Sequence, residues 1–179
     1  MPLDCHPMNN DSLAKEFQKQ TAQLLDQSMD KILNCLDQLD DRQIWWRPQP
    51  QINSIGNLLL HIAGNLRQWS TVALGGQPDD RDRQREFSPE QNIPKHELLE
   101  HVNATVKEAK LSITELSTAK LLDSLTVQGF AVSSLEAITH TCAHFQGHTH
   151  QIILMTRMQV GDDYKFQWSP EHGRNTLPM

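Results

Sequence analysis

Residues 140–151 read His-Thr-Cys-Ala-His-Phe-Gln-Gly-His-Thr-His-Gln, so that His140, His144 and His148 recur every four residues. An α-helix advances about 3.6 residues per turn, and this spacing therefore stacks three imidazoles along one helical face. Neutral imidazole is the commonest side-chain ligand of divalent transition metals. The stretch predicts a long helix that carries a metal-binding stripe.

Apolar residues at helical spacing predict three further long helices. They cover about residues 12–40, from residue 53 or 54 to Gly75-Gly76, and 95–120. The histidine-bearing helix is predicted from Ser133 to about residue 159, because Ser133 and Glu136 match a capping box. Four long helices with little strand signal predict an all-α fold, an up-down four-helix bundle.

The length of 179 residues fits a single domain over residues 1–179. Its helical core is expected over about residues 12–160, and the tail 161–179 is expected to pack its aromatic side chains on the bundle. Those side chains belong to Tyr164, Phe166 and Trp168. Between the last two helices, residues 125–128 indicate a short extended piece and Gly129 a turn.

Composition excludes several classes of partner. The formal net charge is -6 and no long basic run exists, which argues against binding to nucleic acid. No stretch of about 18 apolar residues could span a membrane, and the polar first residues do not match a signal peptide. The cysteines, Cys5, Cys35 and Cys142, form no Cys-x-x-Cys pair, so a reducing cytoplasm is the expected location.

A further histidine, His61, stands alone in the apolar run Leu-Leu-Leu-His-Ile-Ala of the second helix. A buried imidazole without a partner costs about 1–3 kcal/mol, and a metal shared with His144 and His148 would provide a partner. Three protein nitrogens and one open position are typical of catalytic zinc. There are alternatives that involve no metal. His61 could be buried and bonded to a backbone carbonyl or a hydroxyl, and His144 and His148 could form a polar stripe that faces solvent.

Other metal-binding patterns fit less well. The zincin motif needs Glu directly after its first histidine, where this chain has Phe145, and His101 lies one residue too late after His96-Glu97. The paired Glu-x-x-His motifs of di-iron bundles are missing, and so are the cysteines of a structural zinc site. The sequence therefore indicates three histidines without an obvious carboxylate base.

Two segments carry a resemblance to a known family. The run His144-Phe-Gln-Gly-His148-Thr-His-Gln151-Ile152 resembles the His-x-x-x-His-x-x-Gln-Ile signature of the DinB-like superfamily. The run Ser-Ile-Gly-Asn-Leu-Leu-Leu-His-Ile-Ala-Gly-Asn at 54–65 resembles the second-helix histidine motif of that superfamily. The similarity covers about residues 13–159, and the chain is most similar to an uncharacterised DinB-like subgroup.

This resemblance implies a DinB/YfiT-like four-helix bundle that frequently forms homodimers. It implies a divalent transition metal, such as Zn or Ni, held by His61, His144 and His148. Characterised relatives are metal-dependent thiol S-transferases that use bacillithiol or mycothiol, and a mycothiol-dependent maleylpyruvate isomerase. A small-molecule substrate, with a low-molecular-weight thiol as cosubstrate, is therefore expected.

Four further residues are candidates to support the ligands: His140, Gln151, Asn57 and Asn65. His140 lies one turn before His144 and could support a ligand, shuttle a proton or simply lie on the surface. Gln151 matches the trailing glutamine of the family signature, with a supporting or structural role. Asn57 and Asn65 flank His61 one turn away on either side, where they could bind substrate or a ligand or merely make the helix surface polar.

The sequence leaves two functions open. One is a metal-dependent enzyme of the thiol S-transferase or hydrolase type, and the other is a non-catalytic binding protein whose helical bundle the metal stabilises. The missing carboxylate base favours the second over hydrolysis, but it does not argue against thiol transfer, because a metal deprotonates a bound thiol itself. The Asp- and Arg-rich loop 77–94 could bind an acidic substrate, although a solvated charged loop is the favoured interpretation.

Overall fold

The computed structural model describes residues 10–88 and 92–167. Six α-helices follow one another along these residues, together with one two-stranded sheet. The helices are α1 (Asn10–Leu36), α2 (Asp41–Trp45), α3 (Ile55–Leu66), α4 (Arg83–Glu86), α5 (Lys95–Glu115) and α6 (Ser134–Val160). The strands are β1 (Ser124–Val127) and β2 (Phe130–Ser133).

The four long helices, α1, α3, α5 and α6, form the body of the molecule. Helices α1 and α3 each pack against both α5 and α6, so that the four enclose one apolar core. Every long helix contributes side chains that are fully or almost fully buried, among them Leu25, Ile32, Leu59, Ile62, Val102, Ile113, Ile138 and Phe145. The prediction of an all-α fold built around four long helices is confirmed.

Two of the long helices begin at capping boxes. The hydroxyl of Ser54 accepts from the Asn57 backbone N–H at the start of α3, and Ser133 does the same with Glu136 at the start of α6. Each box satisfies two backbone donors that an uncapped first turn would leave without partners. The side chains therefore fix the register of both helices that carry the histidines.

Helices α1 and α5 end four and five residues earlier than the sequence indicates. Asp40 forms the capping box that starts α2, and a residue in that role adopts extended backbone and cannot continue α1. At the end of α5, Leu116 is extended with ψ 125°, and Thr118–Lys120 make a single 3-10 turn. Short polar elements thus replace the predicted last turns.

Helix α3 does not stop at Leu66 but widens into a π-helical segment, Arg67–Val72. The segment ends shortly before Gly75 and Gly76, close to the predicted stop. Segments of π-helix are rare and concentrate at functional sites. The widened turn carries Trp69, which is buried against α6.

Strands β1 and β2 form an antiparallel hairpin between α5 and α6, at the place where the sequence indicates an extended piece. Gln128 and Gly129 make its turn with φ values of 53° and 83°. Two consecutive positive φ angles are what a two-residue type I′ hairpin needs, and glycine accommodates this at little cost. The hairpin places Ser133 next to the first turn of α6.

The described part of the tail packs on the bundle through Tyr164. Its hydroxyl lies 3.7 Å from the buried sulfur of Cys35, and its ring meets Phe166 edge-on at 5.0 Å. Phe166 itself remains 67% exposed, and Trp168 lies outside the described residues. None of the described helices has the length and apolar character needed to cross a membrane.

Candidate metal centre

Three histidines from two helices converge on one point. The rings of His61, His144 and His148 have centroids 4.5–5.0 Å apart, and one ligand atom of each lies within 4.8 Å of the others. The Nε2 atoms of His61 and His144 are 3.1 Å apart. Two ligands of one tetrahedral zinc ion, with bonds of about 2.0–2.1 Å, would lie about 3.3 Å apart. The group can therefore hold a metal ion.

Antiparallel packing of α3 and α6 creates this meeting point. His61 of α3 contacts His144 and His148. Trp69, two turns later in the π-helical segment, contacts His140, two turns before His148 on α6. The facing rows therefore run in opposite directions. His144 and His148 share a helical face because they are four residues apart. Helix α3, which packs against this face, supplies the third imidazole.

Hydrogen bonds on the outer ring nitrogens indicate the tautomers of His61 and His148. His61 Nδ1 lies 2.9 Å from Glu86 Oε2, and His148 Nδ1 lies 2.7 Å from Gln151 Oε1. Carboxylate and amide oxygens only accept, so each Nδ1 carries the proton. Both Nε2 atoms then keep a free lone pair, as a metal ligand requires.

Burial favours the neutral imidazoles of His144 and His148. Burial first, then the neighbouring His148 and His61, lowers the pKa of His144 to about 3. Burial also lowers the pKa of His148, although its bond to Gln151 opposes this. Neutral imidazole is the form that binds a metal, so protons compete only weakly for His144 near neutral pH.

Glu86 supplies a carboxylate that the sequence does not indicate. It lies on the far side of His61, where its side chain is 8% exposed and also accepts two hydrogen bonds from Arg81, at 2.6 and 2.8 Å. Burial alone would raise the pKa of Glu86, but the bonds from Arg81 and His61 outweigh burial and lower it. The site therefore does contain a carboxylate, and it is ionised and fully engaged.

A protein-family model, described as "Protein of unknown function (DUF1572)", matches residues 12–172. The chain belongs to this family. No curated protein matches it. The solved structures described next show that the DUF1572 chain shares its fold with a DinB-like protein, in line with the resemblance that the two histidine motifs carry.

Two solved structures share the fold of this DUF1572 chain. One is a conserved protein from Enterococcus faecalis, with a TM-score of 0.64, 17% identity, and coverage of 80% of this chain and 96% of that one. The other is a DinB-like protein from Bacillus cereus, with a TM-score of 0.63, 12% identity, and coverage of 79% and 91%. At these identities, the similarity concerns the fold alone.

Two of the supporting candidates in the DUF1572 chain lie one turn beyond the ligands. His140 stacks on Trp69 with centroids 3.9 Å apart, and its ring is 5.5 Å from that of His144. Burial lowers the pKa of His140, and its Nε2 is buried without a hydrogen-bond partner among the described residues. Asn65 Oδ1 is buried without a described partner in the same way. These polar atoms extend the site away from the three histidines.

The other two candidates have hydrogen bonds that fix their positions. Gln151 contacts His148 directly, as described above. Asn57 donates to the backbone carbonyls of Glu86 and Ser88, at 2.9 and 3.1 Å, and accepts from Arg47 at 2.6 Å. Asn57 therefore holds the segment that carries Glu86 and has no amide hydrogen left over for a substrate.

Sequence reasoning misses Arg81 and Glu86 because they belong to an irregular charged segment. Loop 77–94 is not simply solvated, since α4 and these two buried side chains pack against α3. One signal in the sequence is Gly64, three residues after His61 and so on nearly the same helical face. A Cβ atom at Gly64 would lie 2.1 Å from Glu86 Oε1 and 3.0 Å from Arg81 Nε.

Proposed function

We propose that this chain binds a divalent transition metal through His61, His144 and His148 and is a metal-dependent enzyme of the thiol S-transferase type. The observation that carries the proposal is the convergence of three imidazoles with ligand atoms within 4.8 Å of one another. Two of them have the Nε2 lone pair available, and the third has a strongly lowered pKa. This donor set suits zinc, nickel or a similar ion.

The three histidines would neither neutralise the positive charge of a bound ion nor fill all of its coordination positions, so an anionic substrate could bind to it. Three neutral imidazoles add no negative charge, and the Glu86 carboxylate is balanced by Arg81. A bound ion would supply Lewis acidity that lowers the pKa of a thiol or a water molecule. His61 is buried whereas His144 and His148 are half-buried, so a small anionic ligand would approach from the side of α6.

The surroundings of the site favour thiol transfer over hydrolysis. Hydrolysis by the usual route needs a free general base close to the open position. Glu86 does not fit that role, because it is buried behind His61 and bonded to both His61 and Arg81. A thiol that ionises on the metal needs no such base.

The finer expectations belong to this same proposal. The cosubstrate would be a low-molecular-weight thiol and the assembly a homodimer, as the DinB-like resemblance implies. The location would be the cytoplasm, as the cysteine pattern indicates. Exposed apolar side chains on the outer face of α6 support an interface, since Leu154 is 59% and Met158 57% exposed. Isolated exposed apolar residues are common, so an oligomeric-state measurement has to decide this point.

A non-catalytic, metal-stabilised binding protein is the second candidate. It is favoured by the engagement of the carboxylate beside His61, since Glu86 is bonded to His61 and Arg81 and is not available as a general base. In that case the ion would mainly join α3 to α6. The two candidates make the same prediction about metal content and differ only in turnover.

Metal analysis of the purified protein tests the site, and turnover tests the activity. The wild type should hold close to one equivalent of metal, and His61→Ala and His144→Ala should lose it. His150→Ala is the matched control, because His150 lies on α6 but bonds to the backbone of Gln146. Full metal content in both ligand variants would contradict the proposal. Monochlorobimane turnover with a panel of thiols then separates the enzyme from the binding protein.

A further inference from the structure

Residues 79–88, here called the strap, are attached to the outside of α3 and its π-helical extension. At the start of the strap, Asp79 accepts from Gln68 at 2.6 Å and Asp80 accepts from Arg67 at 2.5 Å. At its end, Asn57 donates to two strap carbonyls, as described above. Attachment at both ends fixes the path of the chain between them.

Between these attachments, the strap buries an ion pair directly behind a proposed ligand. Arg81 and Glu86 have side chains only 5% and 8% exposed. The guanidinium holds both carboxylate oxygens, through Nε to Oε1 at 2.6 Å and through Nη2 to Oε2 at 2.8 Å. A two-point contact of this kind prevents the carboxylate from rotating, so Oε2 stays aimed at His61 Nδ1.

A second contact fixes the arginine itself. Gln68 Oε1 accepts from Arg81 Nη1 at 2.9 Å, and it also accepts from Gln128 of the hairpin turn at 2.7 Å. The Nη2 atom of Arg81 is also 3.3 Å from His61 Nδ1, but Glu86 Oε2 lies closer to that nitrogen, at 2.9 Å, and can only accept. The closer contact therefore favours a proton on Nδ1 of His61.

This restriction matters because neutral histidine has two tautomers. With its proton on Nε2, His61 would direct an N–H at the Nε2 of His144 and could not bind a metal there. With its proton on Nδ1, it offers a lone pair towards the other two histidines. A carboxylate can only accept, so its presence at Nδ1 selects the second tautomer before any ion arrives.

We propose that Glu86, held by Arg81, is a positioning residue that presets His61 in its metal-binding tautomer, and that the strap is therefore part of the metal centre. The affinity part of this inference rests on the proposed function, since it concerns the same site. The tautomer part does not require any metal. An otherwise unexplained charged loop thus acquires a specific role at one ring nitrogen.

The main test substitutes Glu86→Gln, which keeps the size and removes the obligatory acceptor. In the metal-free wild type, long-range ¹H–¹⁵N NMR should show His61 protonated on Nδ1. In the variant, a measurable fraction should move its proton to Nε2. Zinc affinity, measured by competition with a chromophoric chelator, should fall by about 10- to 100-fold. Glu108→Gln, on α5 away from the site, is the matched control and should change neither readout.

A second variant guards against misfolding of the first. Gly64→Ala keeps both charged side chains but forces Glu86 away from His61, and it should shift the tautomer in the same direction. An Nε2-protonated His61 in the wild type would overturn the inference. So would wild-type tautomer and zinc affinity in folded Glu86→Gln protein. A wild type that keeps Nδ1 protonated but takes up no zinc would refute the proposed function and leave the positioning role intact.

Discussion

Helix α6 and the strap meet on opposite sides of His61 and are built in different ways. Helix α6 delivers His144 and His148 through backbone periodicity alone, one turn apart on a capped helix. The strap delivers a single carboxylate through the four-residue helix α4, two attachment points and one buried arginine. Donors set by helical repetition can thus be recognised in a sequence, whereas the groups that orient them depend on tertiary contacts.

The largest expected effect comes from the α6 side of this comparison. His144→Ala removes a donor outright, so metal affinity should fall by more than the roughly 10- to 100-fold typical of losing a supporting residue. Isothermal titration with zinc measures this, with His150→Ala as the control on the same helix. Equal affinity in His144→Ala and the wild type would exclude His144 as a ligand.

The next effect comes from the strap side and is a change in stability. Gly64→Ala places a methyl group against Glu86, and overpacking of this kind typically costs about 1–3 kcal/mol. Gly147→Ala is the matched control, because a Cβ atom on this α6 glycine meets nothing within 4 Å. The control should be neutral or up to about 1 kcal/mol more stable, since alanine favours a helix. Denaturant unfolding of both variants checks the difference.

A third prediction concerns how the stability of the metal-free protein depends on pH through His144 of α6. Burial, followed by the neighbouring His148 and His61, lowers the pKa of His144 to about 3, whereas an unfolded histidine titrates near about 6.5. Between those values the unfolded chain binds a proton that the folded chain does not, so the metal-free protein loses stability as pH falls from about 6.5 towards 3.

Unfolding curves of the metal-free wild type and His144→Ala, recorded between about pH 7 and pH 4, test this point. The variant should lose stability less steeply on acidification, because it lacks the titrating group. The lowered pKa of Glu86 acts in a more acidic range and affects both proteins equally. Parallel curves would show that His144 takes up protons as readily in the folded protein as in the unfolded chain.

The smallest effect concerns the support that α6 provides for its own ligand. Gln151→Ala removes the acceptor at His148 Nδ1. Because this acceptor is neutral and exposed, zinc affinity should fall by less than the roughly 10-fold lower limit for a supporting residue. The same titration measures it beside Glu86→Gln. A larger loss in Gln151→Ala than in Glu86→Gln would reverse the ranking of the two regions.

The sequence predicts the parts of the molecule that follow from local rules. Helical periodicity predicts the start of α3 at residue 53 or 54, and the capping box at Ser133 predicts the start of α6. The family signature selects His61, His144 and His148. The ends of α1 and α5 are predicted too late, because apolar spacing continues past Leu36 and Glu115 while the caps and turns that follow interrupt the backbone.

The strap illustrates what local rules leave out. Asp79-Asp80-Arg81-Asp82-Arg83 has the composition of a solvated loop, and nothing in its spacing distinguishes the buried Arg81 from its exposed neighbours. Its burial depends on a partner, Glu86, that is itself stable inside only because Arg81 and His61 are there. Such mutual dependence has no periodic signature.

Gly64 also matters for the design of this site in another protein. A designer who copied only the imidazoles onto another helical bundle would reproduce the positions of the donors but leave the ring of His61 free to choose its protonated nitrogen. The missing side chain at Gly64 leaves the space that the Glu86 carboxylate oxygen occupies beside Arg81. A faithful graft therefore needs a notch in the helix surface, three residues after the histidine, as well as the histidines themselves.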